Sequence, residues 1–386
     1  MAQYEAAQYE AALSQHPLAV SAVGEVAGEL LERFGGERPD LVVCFASPHH
    51  VGTFEDLTGV LRSVLEPEVL IGCTAVSVIG GAHEVEDGPA IAAWAARFDD
   101  VALTSVELEL VQTPDGPAVV GWPDESVDGR TLLLLADPFS FPVDGLLRRF
   151  NDDGLRLRVL GGLASAARGP GGNRLVLDGR VRSDGAVGVL VDADVDVHTV
   201  VSQGCRPVGS PFTVTRAEGS LVYELGGRPA LERLRELASG ATEEERTLMQ
   251  RGLHVGLVVD EHKTDFGRGD FLVRNLLGAQ ETTGAIAVGD EVSVGQTLQF
   301  HVRDASAADE DLRALLAGVD ARACLLFTCN GRGRNLFGVP DHDAGLVERL
   351  LGPIPLAGAF CAGEIGPVGG QNFLHGFTAS LALFPE

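Results

Sequence analysis

Lysine is nearly missing from this chain: Lys263 is the only one among 29 basic residues, which face 55 acidic ones for a formal net charge of −26. Nucleic acids and anionic membranes are bound by neutralising phosphates with Lys and Arg, so neither is expected as a partner. Long apolar runs are missing too. No stretch approaches the ~20 residues of a membrane-spanning helix, and the N-terminal AQYEAAQYEAAL has neither the basic flank nor the apolar segment of a secretion signal. A cytoplasmic protein is expected. The six cysteines (44, 73, 205, 324, 329, 361) lie in or beside apolar runs and form no CxxC pair, which fits free thiols in a reducing compartment. There is no GxxxxGK[ST], and IGCTAVSVIGG does not match GxGxxG, so no phosphate loop is expected. Metal ligands are sparse. His49 and His50 would point to opposite sides of an extended chain, and Asp341-His342-Asp343 reads as the cap of the helix that follows it. No metal and no cofactor is expected.

What is present is a large apolar inventory, 45% of 386 residues, enough for two or three domains. After an N-terminal segment read as an amphipathic helix from Pro17 to Phe34, preceded by a frayed helical turn, one plan occurs three times. LVVCFAS, a helix over Thr53–Leu65 and VLIGC form the first copy. TLLLLADP, VDGLLRRF and LRVLGGLA form the second. CLLFTC, a helix over Asp343–Leu351 and LAGAFC form the third. Strand end and glycine turn recur as Phe45 and Gly72, Leu135 and Gly162, Phe327 and Gly358. Such self-similarity points to a multiplied strand–loop–helix–strand unit.

Between the second and third copies, short β-branched runs with turn residues predict antiparallel strands and hairpins, and Gly226-Gly227-Arg228-Pro229 marks a domain boundary. A helix over Ala230–Ala238 and a helix start at Thr242-Glu-Glu-Glu follow. The segment FLVRNLLG, with Arg274 on an otherwise apolar face, reads as helical.

Several stretches together resemble one family. DLVVCF, IGCTA with VIGG and EVEDGPA, YELGGRPALE, FLVRNLLG, VGDEVSVGQTLQFHVRDA, CNGRG and PLAGAFCAGEIGPVGGQNFLHGFTA are similar to the FIST proteins, with an N-terminal FIST half and a FIST C half. The resemblance is nearly end to end. It implies a free-standing bacterial FIST protein with a helical segment at 1–38, a FIST N domain at 39–228 and a FIST C domain at 229–386. The implied fold is α+β, two domains with mixed β-sheets flanked by helices, a layered sandwich of repeated strand–loop–helix–strand units. The implied function is sensory: non-catalytic recognition of a small polar metabolite such as an amino acid in a pocket built mainly by the C-terminal domain, with a signalling protein as partner.

The residues suggest how. Two buried strands end at polar, glycine-punctuated tips, CNGRG and CAGEIGP, and glycines let another group approach the backbone closely. Arg332 can take a carboxylate bidentately and Glu364 can take an ammonium, which together complement a zwitterion. The competing reading pairs Arg332 with Glu364 as a structural ion pair. Cys329, Asn330 and Asn372 complete the ligand-binding set, with Asn330 also read as a turn cap. Arg274 is read as a second pocket cation or as the partner of a buried acid such as Glu364. An alternative function is a thiol-dependent enzyme, with Cys329 or Cys361 as nucleophile and His375 as base. Another is a protein-interaction scaffold. Glu84 and Glu86, two apart, would share a face of an extended chain, as an acid pair or as a solvated edge.

Overall fold

The computed structural model describes residues 7–114 and 116–385, and among them eight α-helices and twenty-six strands. The mixed sheets and flanking helices are those of an α+β fold. The first part of the chain runs β1 (Gln8–Ser14), α1 (Ala19–Arg33), β2 (Leu41–Ala46), α2 (Phe54–Leu65), β3 (Val69–Thr74), β4 (Val78–Gly80), β5 (His83–Val85) and β6 (Ile91–Arg97). It continues with β7 (Leu103–Thr113), β8 (Gly116–Val120), β9 (Thr131–Ala136), α3 (Val143–Asp152), β10 (Arg158–Leu163), β11 (Leu175–Leu177), β12 (Arg180–Arg182), β13 (Ala186–Val191) and β14 (His198–Gln203). The middle consists of β15 (Cys205–Glu218), β16 (Leu221–Leu225), β17 (Arg228–Pro229), α4 (Ala230–Gly240), α5 (Glu243–Arg251), β18 (Leu253–Val258), β19 (Phe271–Gln280), β20 (Ala285–Val288), β21 (Thr297–Arg303) and α6 (Ala305–Leu316). The last part is β22 (Ala323–Cys329), α7 (Arg334–Phe337), α8 (His342–Leu351), β23 (Leu356–Cys361), β24 (Glu364–Val368), β25 (Gln371–His375) and β26 (Thr378–Phe384).

These elements form two compact units, neither continuous in sequence. The first comprises 1–201, 315–374 and 378–386; the second comprises 202–314 and 375–377. The first unit holds all three copies of the repeated plan, and their sheets share one strand order. The orders are β1-β6-β2-β3-β11-β12, then β7-β13-β9-β10-β24-β25 with β8 beyond β7, then β14-β26-β22-β23-β4-β5. In each copy two parallel strands flank a helical crossover (β2 and β3, β9 and β10, β22 and β23), and a third strand returns antiparallel beside the first.

No copy completes its own sheet. The hairpin that follows the second strand leaves its own sheet and pairs with the second strand of another copy. β4–β5 joins β23, β24–β25 joins β10, and β11–β12 joins β3. The exchange is cyclic, so the three copies are tied into one body. One face of every sheet contributes to a shared core, with Val43, Phe45 and Trp94 from the first copy, Leu133, Leu135 and Val189 from the second, and Leu325, Phe327 and Phe384 from the third. The opposite face of the first sheet packs on α1 and α2, and that of the second on α3.

The glycines of the repeat have a common cause. Gly72, Gly161 and Gly358 occupy matching places in β3, β10 and β23, opposite Cys44, Leu134 and Leu326 on one side and Val176, Ile365 and Ile79 of the exchanged hairpin on the other. A Cβ at these places would lie 2.4, 2.0 and 1.9 Å from the facing carbonyl oxygens. The second copy therefore aligns through Gly161 rather than Gly162.

The second unit is an antiparallel sheet in the order β15-β21-β18-β19-β20-β16-β17. Its fourteen-residue strand β15 pairs with β21 through one part and with β16 through another, which closes the sheet into a barrel. Val214, Val255, Leu257, Phe300 and Val302 form a core together with residues of α4 and α5. The helix start at Thr242 is present as a capping box, with Thr242 accepting from the Glu245 N–H and Glu245 accepting from Thr242.

Two expectations are corrected. Gln8–Ser14 is a strand, not a frayed helical turn, because pairing with β6 and packing of Tyr9 on Trp94 and Phe384 outweigh the helix propensity of its Ala, Gln and Glu. The first AQYEA copy, residues 2–6, lies outside the described residues. FLVRNLLG is strand β19, with Phe271 and Val273 alternately buried; its apolar spacing satisfies both periods over so short a run.

The glycine constraint is measurable. Gly358→Ala is expected to lower stability by about 1–3 kcal/mol in urea unfolding. Gly24→Ala, exposed in α1 with open space around it, is expected to raise stability by about 1 kcal/mol.

Candidate functional site

The polar tips that end β22 and β23 lie side by side, since the parallel register places Cys329 opposite Cys361. The loop after β22 then doubles back. The Asn330 N–H donates to the Cys361 carbonyl at 2.9 Å and the Arg332 N–H to the Cys329 carbonyl at 2.8 Å. This turn sends Asn330 outward and Arg332 inward, where its side chain is 0% exposed. A guanidinium cannot be buried without a counter-charge. Asp343 supplies it in a bidentate pair, Nε to Oδ2 at 2.7 Å and Nη2 to Oδ1 at 2.8 Å.

Asp343 is the residue that the sequence reading placed in a cap and that the structure places at the centre. It stands in the first turn of α8 on the buried face with Val347, and also accepts from Thr328 Oγ1 at 2.8 Å. His342 Nδ1 lies 3.0 Å from Asp343 Oδ1. The His342 ring stacks on Phe337 at 3.3 Å, and Phe337 lies 5.2 Å under the Arg332 guanidinium. The signal was legible in principle: an Asp at i with apolar residues at i+3 and i+4 sits on the buried side of its helix and requires a cation.

Glu84 and Glu86 of the exchanged hairpin complete the cluster. Glu84 Oε1 accepts from the Ala344 N–H at 2.9 Å, which caps α8, and Glu86 accepts from the Arg334 N–H at 3.0 and 3.1 Å, which caps α7. Gly333, at φ 56°, gives Glu86 room, because a Cβ there would lie 2.8 Å from its carboxylate. Neither carboxylate is a solvated edge: Glu84 is buried and Glu86 half-buried. Burial, then the neighbouring Asp343, raises the Glu84 carboxyl to about 8. Burial opposes the charges of Asp343 and Arg332 as well, but each holds the other ionised, so Asp343 lies well below the usual carboxylate range and Arg332 above its own.

The remaining candidates divide. Glu364 is fully buried at the start of β24, with Oε2 accepting from the Thr378 N–H at 3.1 Å and its Oγ1 at 2.8 Å. Its charge reaches both Arg332 and Cys361, while the ion pair of Arg332 is made with Asp343. Cys361 is buried, and burial pushes its thiol well up, into the protonated and weakly nucleophilic form. Asn372 belongs to the same unit but holds a different place: its Oδ1 accepts from Val159 N–H at 2.9 Å and its Nδ2 donates to the Leu157 carbonyl at 2.8 Å, pinning the exchanged hairpin to β10. Arg274 and His375 belong to the second unit. Arg274 stands on a strand and pairs with Asp290 at 2.7 Å, which supplies the acid that the sequence reading sought in Glu364.

The FIST N domain model matches residues 40–228 and the FIST C domain model residues 230–367. The chain belongs to the FIST family. It is 46% identical over 376 residues to an uncharacterized protein of Mycobacterium bovis, covering 96% of this chain and 97% of that one. It is 47% identical over 371 residues to an uncharacterized protein of Mycobacterium tuberculosis, covering 95% and 96%. FIST domains are associated with sensory and signal-transduction roles. No helix among the described residues is long and apolar enough to cross a membrane.

The raised Glu84 group makes stability depend on pH. A carboxyl at about 8 in the folded protein and 4.5 ordinarily contributes fully below 4.5, and the contribution is lost as pH rises toward 8. Depressed Asp343 does the reverse, losing its contribution as pH falls below 3.8. Glu84→Gln keeps the acceptor for Ala344 and removes the titration. Urea unfolding at pH 5 and pH 8 should therefore show a smaller fall for the variant than for the wild type.

Proposed function

We propose that this FIST protein is a non-catalytic sensory protein that recognises a small polar metabolite, an amino acid or a molecule like it, at the Arg332 cluster, and relays occupancy to a signalling protein. The observation that carries the reading is Arg332 itself. Two of its nitrogens hold Asp343, whereas Nη1 is buried with no hydrogen-bond partner, and Glu84 Oε2, on a carboxyl neighbouring Asp343, is buried in the same condition. A buried donor and a buried acceptor left over around one ion pair are costly unless something satisfies them. A zwitterion does so, with its carboxylate on Nη1 and its ammonium toward Glu364 and toward Glu84, whose raised carboxyl would ionise beside the incoming positive charge. Entry requires the segment from Gly331 to Asp341 to move, since Arg332 is fully enclosed, and that movement is the event a partner protein would read.

The thiol-enzyme reading is less well supported, because the burial that raises the Cys361 thiol disfavours a thiolate. If it held, Cys329 or Cys361 would alkylate with iodoacetamide in the native protein at neutral pH. On the sensory reading both label only on unfolding.

A thermal-shift screen of the amino acids tests the recognition. A ligand specific to the native state stabilises by about 2.7 kcal/mol at one hundred times its Kd, and the midpoint rises with its concentration. Glu364→Gln, which preserves shape, should weaken that shift at least tenfold in apparent Kd, and Arg332→Lys should do the same. A ligand whose binding survives both substitutions binds elsewhere.

A further inference from the structure

The exchange of hairpins leaves three equivalent places, at β1, β7 and β14, where a strand of one sheet lies beside another copy, and the three are finished differently. At β7, Arg182 pairs with Glu107 and Glu109, Ser105 Oγ donates to Asp178 at 2.7 Å, and β8 pairs with the far part of the strand. At β14 a recess of 390 Å³ remains, with Arg158 Nη1 donating to the Val197 carbonyl at 2.8 Å. At β1 there is an open groove of 880 Å³. The fold therefore permits closure of this place and the first copy leaves it open.

The groove runs the length of β1, roughly 23 Å for seven extended residues, and its floor is the strand's unpaired side. The Ala11 carbonyl faces it and accepts from Arg33 Nη1 at 2.7 Å, so by the alternation of a strand the peptide groups of Tyr9 and Leu13 point the same way. The opposite wall contains Gly80, Gly81, Pro353 and Pro355. Proline has no N–H, so this wall does not offer a strand of its own to pair with β1. Arg322 stands exposed at the groove and, among the described residues, has no carboxylate partner, although the chain carries 55 acidic residues. An edge strand left bare is usually protected by charge or covered by another chain.

We propose that this groove takes up an extended peptide segment of another protein, which adds a strand to the outer side of β1 and sets a side-chain or C-terminal carboxylate on Arg322. The site is separate from the Arg332 cluster and does not depend on its reading. An extended occupant matches the outward peptide groups of Tyr9 and Leu13, displacing Arg33 from the Ala11 carbonyl, and a carboxylate matches Arg322, which is exposed at the groove without a carboxylate partner among the described residues.

The test uses the full chain and a library of synthetic heptapeptides with free C termini. The wild-type protein should retain peptides rich in Asp or Glu, or dependent on the free carboxylate. Arg322→Ala should weaken the retained peptides at least tenfold, and His83→Trp, which fills the groove from an exposed position, should abolish binding. Methylating alternate peptide nitrogens of the bound peptide should abolish it too, and amide exchange at Tyr9, Ala11 and Leu13 should slow in the complex. Failure to retain any peptide overturns the proposal, as does retention unchanged by both substitutions. If glutarate slows the same amides as well as any peptide does, the groove is a small-carboxylate site and the peptide proposal is wrong.

Discussion

Incomplete sheets hold the first unit together. Each copy of the repeated plan ends its second strand with an unsatisfied edge, and the only strand that covers that edge comes from another copy. Backbone N–H and C=O groups buried without partners are too costly to tolerate, so no copy can be finished alone. The glycines at 72, 161 and 358 follow from the same requirement. Each stands between a parallel neighbour and a borrowed hairpin, with no room for a Cβ against the facing carbonyl.

The borrowed hairpin also builds the polar cluster. Glu84 and Glu86 belong to the hairpin of the first copy, yet they cap the two helices of the third. That capping fixes where α8 begins, and the first turn of α8 fixes Asp343 against Arg332. Buried ion pairs are weak sources of net stability but strong constraints once formed, because removing one partner strands the other. Closure of the loop after β22, burial of Arg332 and the position of the exchanged hairpin are therefore one coupled arrangement.

Much of the fold was legible because it is local. The threefold plan showed in the apolar runs and their polar ends, the α5 cap in Thr242 with Glu245, and the free thiols in the absence of any CxxC. The candidate site was legible by half. CNGRG and CAGEIGP do meet, and Arg332 does hold a carboxylate bidentately. The carboxylate is that of Asp343, eleven residues on, rather than a ligand's or that of Glu364. Arg274 and Asn372 have their own partners, Asp290 and the β10 backbone. Nothing in a linear pattern says which of several acids a buried arginine meets, since that depends on the direction a loop takes after its strand.

The same division runs through the whole molecule. Strand and helix periods, glycine at close approaches, cap residues and the shortage of cations are properties of short segments, and the sequence by itself determined them. Tertiary structure decided that Gln8–Ser14 pairs as a strand, that the hairpins are exchanged around a ring, that Glu84 meets α8 and that a groove stays open beside Arg322. Those outcomes depend on which surfaces remain unpaired after the local elements have formed, and that is a property of the assembled chain.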